Sequence, residues 1–519
     1  MSRDTASEAP ASRRARVRAA KACALYAFAC ALLAFPFWLH ESFGDVSLAQ
    51  VVFQFRHLGG ASSLSQHVGI DFLVYCVIGP AVAAALLTWL VAALRRWSSA
   101  RPHGSAAARR LVARAIAALQ LTVLGIALGT FASRTDAVQL LTSAALAQYT
   151  DAADYFAAHY VPPGGVEIRP RARKNLVLVY VESLETTYTR HDLFERDLLA
   201  PLTAQQPVAF DAYRQMPGTG FTIAAVVSTQ CGVPLYKLGL IDANTQGERV
   251  QAFLPNAVCL GDILAAQGYR NVFMGGASLD FSGKGKFLRS HHYDELYGRE
   301  EWIRDGVPAA RISGWGLHDD DLFERAKAKL RELHERGQPF NLTVLTVDTH
   351  RPSGYRSAGC AEGDKAAPGL DGIVECAAGQ VADLIRYVRA SGYAADTQVV
   401  VIGDHLSPPN ELSDRLARVP DRHIYNGFFS ADAPRPNRAT LVHFDMLPTL
   451  LDFIGLQVVG GRMGLGHSGF GDVPGAAAID AARAEQDARL QSPSPAYWAL
   501  WEPVRGADGT AVGAAAASR

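Results

Sequence analysis

The first 135 residues contain three long apolar runs separated by polar segments, and the rest of the chain alternates short apolar runs with polar stretches. The long runs cover residues 22–39, 70–94 and 111–132. Each is long enough to cross about 30 Å of hydrocarbon as a helix. Because further apolar runs follow the first, we interpret it as an anchor rather than as a cleaved signal peptide. The pattern predicts an N-terminal bundle of three transmembrane helices in residues 1–134; the alternative is a set of core helices.

The polar segments around these runs differ in charge. The first 21 residues hold six basic and two acidic residues, and 95–110 holds five arginines and no acid. Residues 40–69 hold two acids and one arginine. Basic segments stay in the cytoplasm, so the N-terminus is expected there. We therefore expect a multi-pass inner-membrane protein, with the residues after 133 in the periplasm or another extracytoplasmic space.

After residue 170 the pattern changes to buried strands separated by helices. Continuous apolar runs at 175–181, 271–274, 340–347 and 397–402 predict strands covered on both faces. Helices are predicted over 261–267, 319–336 and 379–390. This alternation is typical of an α/β domain, here residues 171–473, with a mostly parallel central sheet flanked by helices.

The segments on either side of this domain are less regular. Residues 135–170 predict a juxtamembrane helix (136–160) and a linker that contains Pro162–Gly165. Residues 474–519 predict a C-terminal helix (480–490) followed by a flexible tail (506–519).

The composition narrows the function. A chain of 519 residues allows two to four domains. Its 50 basic and 50 acidic residues cancel, which argues against a nucleic-acid partner, since such proteins need a basic excess or a basic stripe.

Acidic and imidazole side chains follow three of the predicted strands. Glu182 follows the first strand, Asp348 and His350 follow another, and Asp404 and His405 follow the last. The carboxyl ends of parallel strands meet at one edge of a sheet, where ligands bind. Such side chains suit a divalent metal, and manganese, zinc and magnesium fit the donor set about equally.

A glycine-bracketed loop, residues 217–222, leads into an apolar run and puts Thr222 at or near a helix N-terminus. The amide groups and the dipole there favour an anion such as phosphate. A hydroxyl beside a metal can become a nucleophile. The alternative is that Thr222 only caps the helix.

Four of the seven cysteines lie in the exported part: Cys231, Cys259, Cys360 and Cys376. An even number of thiols in an oxidising compartment suggests two disulfides. Three pairings are possible, and the local ones, Cys231–Cys259 and Cys360–Cys376, are weakly favoured.

Several of these segments together resemble the alkaline phosphatase/sulfatase superfamily. Within it the chain is most similar to membrane-anchored phosphoglycerol transferases, the group of lipoteichoic acid synthases and of the transferases that modify periplasmic glucans. The resemblance runs over residues 175–466. It rests on GTGFTIAAVVSTQCGVPL (218–235), DTHRPSGY (348–355), VIGDHL (401–406) and FDMLPTLLDFIG (444–455).

The resemblance implies a role for individual residues. Glu182, Thr222, Asp404 and His405 match the metal-site positions, with Thr222 as the nucleophile, and His350 matches a histidine that contacts the substrate phosphate. Lipoteichoic acid synthases have an arginine for the glycerophosphate where this chain offers Lys284 or Lys286. A lysine offers the phosphate a single charged ammonium group, whereas an arginine can form two parallel hydrogen bonds with it.

The implied reaction is the transfer of phosphoglycerol from phosphatidylglycerol to a glycan, through a covalent phosphothreonine. Transfer of phosphoethanolamine, a plain phosphodiesterase and an inactive glycan-binding or envelope-sensing relative are the alternatives. Sulfatase chemistry is disfavoured, because Cys231 lacks the Cys/Ser-x-Pro-x-Arg context in which formylglycine forms.

Overall fold

The protein is described by a computed structural model, which covers residues 10–43, 70–99, 106–135, 154–236, 250, 252–351, 353–360, 369–471, 473, 479, 489–490 and 494–502. The described residues divide into two compact units, one within residues 10–135 and one within residues 154–502. Each unit has its own hydrophobic clusters.

The first unit contains three long helices, α1 (Pro10–Phe43), α2 (Gly79–Ser99) and α3 (Ala106–Arg134), with a π-helical turn over Leu73–Ile78 before α2. All three are long and apolar enough to cross a membrane, over Ala19–Leu39, Ile70–Trp97 and Arg110–Arg134. The prediction of three such helices is confirmed. Residues 44–69, and residues 100–105 within the Arg-rich segment, lie outside the described residues.

The second unit is built around a six-stranded sheet with strands in the order β5-β4-β6-β2-β7-β8. All neighbours are parallel except β7 and β8. The predicted mostly parallel sheet is therefore confirmed, with an antiparallel strand at one edge. The strands are β1 (Ile168–Pro170), β2 (Asn175–Val181), β3 (Ala212–Arg214), β4 (Arg270–Gly275), β5 (Glu295–Tyr297), β6 (Phe340–Leu345), β7 (Thr397–Gly403), β8 (Asn426–Phe429), β9 (Thr440–Val442), β10 (Leu456–Val458), β11 (Arg462–Met463) and β12 (Gly466–His467).

Helices cover both faces of this sheet, which is why its central strands have no polar face. Side chains alternate between two apolar cores: Leu178 packs into one and Val179 into the other. The helices of the second unit are α4 (Tyr155–His159), α5 (His191–Phe194), α6 (Ala200–Thr203), α7 (Thr222–Cys231), α8 (Leu260–Ala266), α9 (Lys284–Ser290), α10 (Arg299–Arg304), α11 (Asp319–Arg336), α12 (Leu370–Ala390), α13 (Ser413–Leu416), α14 (Met446–Phe453) and α15 (Pro495–Ala499).

Three predicted elements differ from the structure. The strand predicted over 340–347 ends at Leu345, and the helix predicted over 379–390 begins at Leu370. Of the predicted juxtamembrane helix, only Tyr155–His159 is described as helical, and 136–153 lies outside the described residues. The same holds for the tail at 506–519 and for most of the predicted helix at 480–490.

Candidate active site

Glu182 and Asp404 meet because β2 and β7 are neighbouring parallel strands that end at the same level. Val181 pairs with Gly403 in the sheet, so the next residue of each strand lies at the same edge. Both side chains are buried. Thr346 directly follows strand β6, and its hydroxyl oxygen accepts the Glu182 amide at 3.0 Å. Adjacent strand ends thus hold two carboxylates inside the domain.

Ser183 joins these two carboxylates. Its backbone has a positive φ of 55°, a conformation that L-residues rarely adopt. Its amide donates to Asp404 Oδ1 at 2.8 Å, and its hydroxyl donates to Glu182 Oε1 at 2.6 Å. The turn after β2 therefore fixes the orientation of both acids.

Thr222 is the first residue of α7, and its hydroxyl donates to Glu182 Oε2 at 3.3 Å. Phe221 holds the N-cap position, and no side chain caps this helix end. The capping interpretation of Thr222 is therefore wrong. Its hydroxyl faces the carboxylates at the positive end of a helix dipole, where an anion is favoured.

Helix α7 is docked on the sheet by polar contacts as well as apolar ones. The Thr229 hydroxyl lies 2.6 Å from the Tyr180 hydroxyl, and Gln230 Oε1 accepts from the Tyr293 hydroxyl at 3.1 Å. At its last residue the helix is cross-linked to the chain by a disulfide between Cys231 and Cys259. The other local pairing, Cys360–Cys376, is also present. These contacts fix the helix that carries Thr222.

Glu182, Asp404 and His405 each offer one ligand atom, and these atoms all lie within 4.8 Å of one another. His405 Nε2 lies 3.7 Å from Glu182 Oε1 and 3.4 Å from Asp404 Oδ2. His405 Nδ1 lies 2.9 Å from the Leu406 carbonyl oxygen. Because a carbonyl can only accept, Nδ1 carries the proton of a neutral ring and Nε2 is left as a possible ligand.

The charges of this cluster are unbalanced without a cation. Burial and the neighbouring Glu182 carboxylate raise the pKa of Asp404 to about 7. Burial opposes ionisation of Glu182 and His405 too, but the opposite charges around them outweigh it. The charges of His405 and His350 lower the pKa of Glu182, and those of Asp404 and Glu182 raise the pKa of His405. Asp404 Oδ2 is buried and has no hydrogen-bond partner among the residues that the structure describes. A buried carboxylate oxygen without a partner is costly, so these residues fit a bound divalent cation.

His350 and Lys284 lie near enough to this cluster for their charges to act on it. The charge of His350 contributes to the lowered pKa of Glu182. Burial lowers the pKa of Lys284 to about 8, against the opposing pull of Glu182, Glu300 and Asp404. The other candidate lysine, Lys286, donates to the Val250 carbonyl oxygen at 2.9 Å. The structure therefore distinguishes the two candidates: the charge of Lys284 interacts with the carboxylates, whereas Lys286 is bonded to a backbone carbonyl.

Two supporting residues were not assigned from the sequence. Ser183 follows Glu182 directly, but nothing in the sequence indicates its backbone conformation. His443 is fully buried, and its Nε2 donates to the Asp404 carbonyl oxygen at 2.7 Å. Burial lowers its pKa to about 4, so it is neutral here. Its place in the segment VHFD, just before α14, gave no signal of this contact.

A second cluster contains residue types that bind metals, but its cysteines cannot act as ligands. Cys231, Cys259 and His291 lie together. The two sulfur atoms are bonded to each other, so neither is available as a thiolate ligand. His291 and its neighbour His292 instead both contact Asp262, at 2.8 and 2.7 Å.

The sequence matches the sulfatase family over residues 174–456, more than half of the chain. The chain therefore belongs to the sulfatase family. The family resemblance seen in the sequence motifs is confirmed.

Two curated relatives are both named phosphoglycerol transferase I. The protein from Xanthomonas axonopodis pv. citri (strain 306) is 40% identical over 268 residues, which is 50% of this chain and 38% of the relative. The protein from Escherichia coli (strain K12) is 36% identical over 361 residues, which is 67% of this chain and 45% of the relative. The chain thus spans less than half the length of these relatives.

Among solved structures, the chain is similar to the lipoteichoic acid synthase LtaP from Listeria monocytogenes. That match has a TM-score of 0.46 and 17% identity, and covers 58% of this chain and 78% of the other. The Streptococcus pyogenes phosphoglycerol transferase GacH, solved with sn-glycerol-1-phosphate, gives a TM-score of 0.41 and 12% identity, with 63% and 87% covered.

Proposed function

We propose that this chain is a membrane-anchored, metal-dependent phosphoglycerol transferase. It takes phosphoglycerol from phosphatidylglycerol and passes it to a glycan in the periplasm or another extracytoplasmic space. The observation that carries the proposal is the 3.3 Å contact between the Thr222 hydroxyl and Glu182, inside the group formed with Asp404 and His405. The names of the two curated relatives support phosphoglycerol as the transferred group.

The metal site of the proposal consists of Glu182, Thr222, Asp404 and His405. When bound there, a divalent ion such as Mn²⁺, Zn²⁺ or Mg²⁺ lowers the pKa of a coordinated hydroxyl and withdraws charge from a phosphoryl oxygen. The protein contributes the geometry: Ser183 orients both acids, and His405 keeps Nε2 available. The N-terminus of α7 supplies amide groups to an anionic phosphate.

The reaction consists of two displacements at phosphorus. Thr222 Oγ1 bonds to the phosphorus of the donor while the bond from phosphorus to the diacylglycerol oxygen breaks. The Thr222 proton passes to Glu182 or to water, and His350 protonates the leaving oxygen. A glycan hydroxyl then bonds to phosphorus and the bond to Thr222 breaks. The glycan proton passes to His350, which restores it, and Thr222 takes back its proton from Glu182 or water. A covalent intermediate of this kind gives ping-pong kinetics.

The charge of Lys284 favours a glycerol headgroup over ethanolamine. Its side chain is only 3% exposed, and its ammonium group interacts electrostatically with both Glu182 and Asp404. A buried cation attracts the donor phosphate and repels the ammonium of phosphatidylethanolamine. Glycerol is neutral and meets no such repulsion.

The three apolar helices support a role at the membrane surface, where the donor lipid resides. The basic N-terminus and the Arg-rich segment at 95–110 favour the cytoplasmic side, which leaves the sulfatase-like unit on the opposite side. Tethering keeps the enzyme at the leaflet and raises the local concentration of a lipid that does not leave the bilayer.

The donor and the intermediate can be tested together. Membranes containing the protein are incubated with headgroup-labelled phosphatidylglycerol, with and without a glycan. We expect a Thr222 peptide that is heavier by one phosphoglycerol group, and label that moves to the glycan when it is added. An adduct with the mass of phosphoethanolamine from mixed lipids would contradict the donor. Release of label only as free glycerol phosphate, with or without glycan, would instead define a phosphodiesterase.

The role of Lys284 can be tested by substitution, with the same substitution at Lys286 as the control. Lys284→Met is expected to lower kcat/KM for phosphatidylglycerol by about tenfold to a hundredfold, the loss of one hydrogen bond to a charged group. The same variant is expected to raise Tm, since methionine removes a buried, poorly compensated charge. Lys286→Met should leave kcat/KM within about threefold. Equal losses in the two variants would show that Lys284 has no special role.

A further inference from the structure

Trp315 stands in a rigid turn beside the candidate active site. The Ser313 hydroxyl oxygen accepts the amides of Trp315 and Gly316 at 3.2 and 3.1 Å, and the Ser313 amide donates to the Gly316 carbonyl at 2.7 Å. The Leu317 amide then bonds to the Gly276 carbonyl, just past β4, at 3.0 Å. A turn held at both ends can present a side chain with little loss of conformational entropy on binding.

The turn is connected to the carboxylates by two further contacts. His318 Nδ1 lies 2.9 Å from Asp348 Oδ1. The hydroxyl of Thr349, the residue after Asp348, donates to the Glu182 carbonyl at 2.6 Å. The position of Trp315 is therefore fixed relative to the acids that the proposed reaction uses.

The indole of Trp315 contacts two other rings. Its ring centre lies 4.1 Å from that of His350 and 5.5 Å from that of Phe281. All three side chains are half-buried. In the part of the chain that the structure describes, the indole N–H has no hydrogen-bond acceptor, although its ring contacts are present. The result is an aromatic surface with an open donor.

We propose that Trp315 binds a sugar ring of the acceptor glycan, by stacking on its apolar C–H face and donating its N–H to a sugar oxygen. This inference rests on the proposed transferase function. A pyranose ring has both an apolar face and polar edges, and so matches an indole with an open N–H. His350 adjoins Trp315, so a sugar stacked there would bring a hydroxyl towards the phosphorus.

The polar surroundings of Trp315 argue against an acyl chain as its ligand. Lys284 is three residues from Phe281, and its charge acts on the site. The Tyr355 hydroxyl lies 3.3 Å from the position that a Cβ would take at Gly314, in the same turn. An acyl chain gains from apolar walls, whereas a sugar uses hydroxyl and N–H partners.

The test measures binding without turnover. In protein carrying Thr222→Ala, calorimetry follows a panel of neutral gluco-, galacto- and N-acetylglucosamine oligosaccharides. We expect the added change Trp315→Ala to weaken binding of the preferred oligosaccharide about tenfold or more. Trp315→Phe, which keeps a ring but no donor, should fall in between. Trp498→Phe, a half-buried tryptophan on α15, serves as the control and should leave Kd unchanged.

A structural role alone would not give the spectroscopic signature of stacking. Saturation of the aromatic protons should transfer to the C–H face of the bound sugar in the parent protein and be lost with Trp315→Ala. Failure of the parent to bind any member of the panel, or an equal Kd with and without Trp315, would overturn the inference. Trp315-dependent sugar binding, together with the absence of a phosphoglycerol adduct on Thr222 in the unmutated protein, would contradict the transferase proposal alone.

Discussion

Replacement of Thr222 by alanine is expected to abolish phosphoglycerol transfer and to leave the fold intact. The hydroxyl is the attacking group in the proposed reaction, and loss of a covalent nucleophile lowers kcat by about four orders of magnitude or more. Its contact with Glu182 at 3.3 Å is long, so little stability is lost with it. Transfer of headgroup label to a glycan measures the activity, and thermal unfolding measures the fold.

Two further substitutions separate the hydroxyl from the side-chain volume. Thr222→Ser keeps a hydroxyl and should retain measurable transfer and a serine-bound adduct. Thr203→Ala makes the same chemical change on the exposed face of α6 and should behave as the parent. Wild-type transfer by Thr222→Ala, or an adduct found on another residue, would remove Thr222 from the mechanism.

Asparagine at position 404 is expected to have opposite effects on the protein with and without metal. In the metal-free protein the carboxylate of Asp404 is buried beside Glu182, and its pKa is raised to about 7. Above that pH the parent holds two carboxylate charges within 4.8 Å of each other, and Asp404→Asn removes one of them. Asn Oδ1 can still accept the Ser183 and His405 amides. We therefore expect an unchanged or higher Tm in excess chelator.

With metal present, Asp404→Asn is expected to have a lower Tm than the parent. A ligand at 100 times its Kd stabilises the folded state by about 2.7 kcal/mol, and Asp404→Asn should lose that gain together with activity and bound metal. Metal content after dialysis and Tm with added Mn²⁺, Zn²⁺ or Mg²⁺ are the readouts. Glu375→Gln, a partly exposed acid paired with Arg196, is the control. Full occupancy by metal in Asp404→Asn would show that the cluster is not the metal site.

The sheet could be predicted because its strands are fully buried. A continuous run such as NLVLVYV indicates a strand covered on both faces, and β2 and β7 begin and end within one residue of their predicted bounds. The end of β6 could not be predicted to the residue, because Thr346 and Val347 extend the apolar run. The Thr346 amide still donates to the Tyr180 carbonyl of β2 at 3.1 Å, whereas the Val347 amide leaves the sheet and donates to Asp319 Oδ1 at 2.8 Å.

The acids of the site could be predicted from one rule, that parallel strands present their following residues at a common edge. That rule gave Glu182, Asp404 and His405, which the structure brings together. The rule could not distinguish Lys284 from Lys286, because the direction in which each side chain points depends on where helix α9 begins. It also could not find His443 or Trp315, whose contacts come from turns far apart in the sequence.

The left-handed backbone at Ser183 makes position 183 intolerant of most substitutions. Any residue with a Cβ, the native serine included, raises the free energy of the folded state by roughly 1–2 kcal/mol in this conformation. A β-branched side chain costs more, because its χ1 angle is restricted. Glycine would relax the turn but would lose the hydroxyl that holds Glu182; asparagine fits the backbone with a longer side chain. In a library of variants, codon 183 should therefore accept a much narrower range of amino acids than its burial alone would suggest.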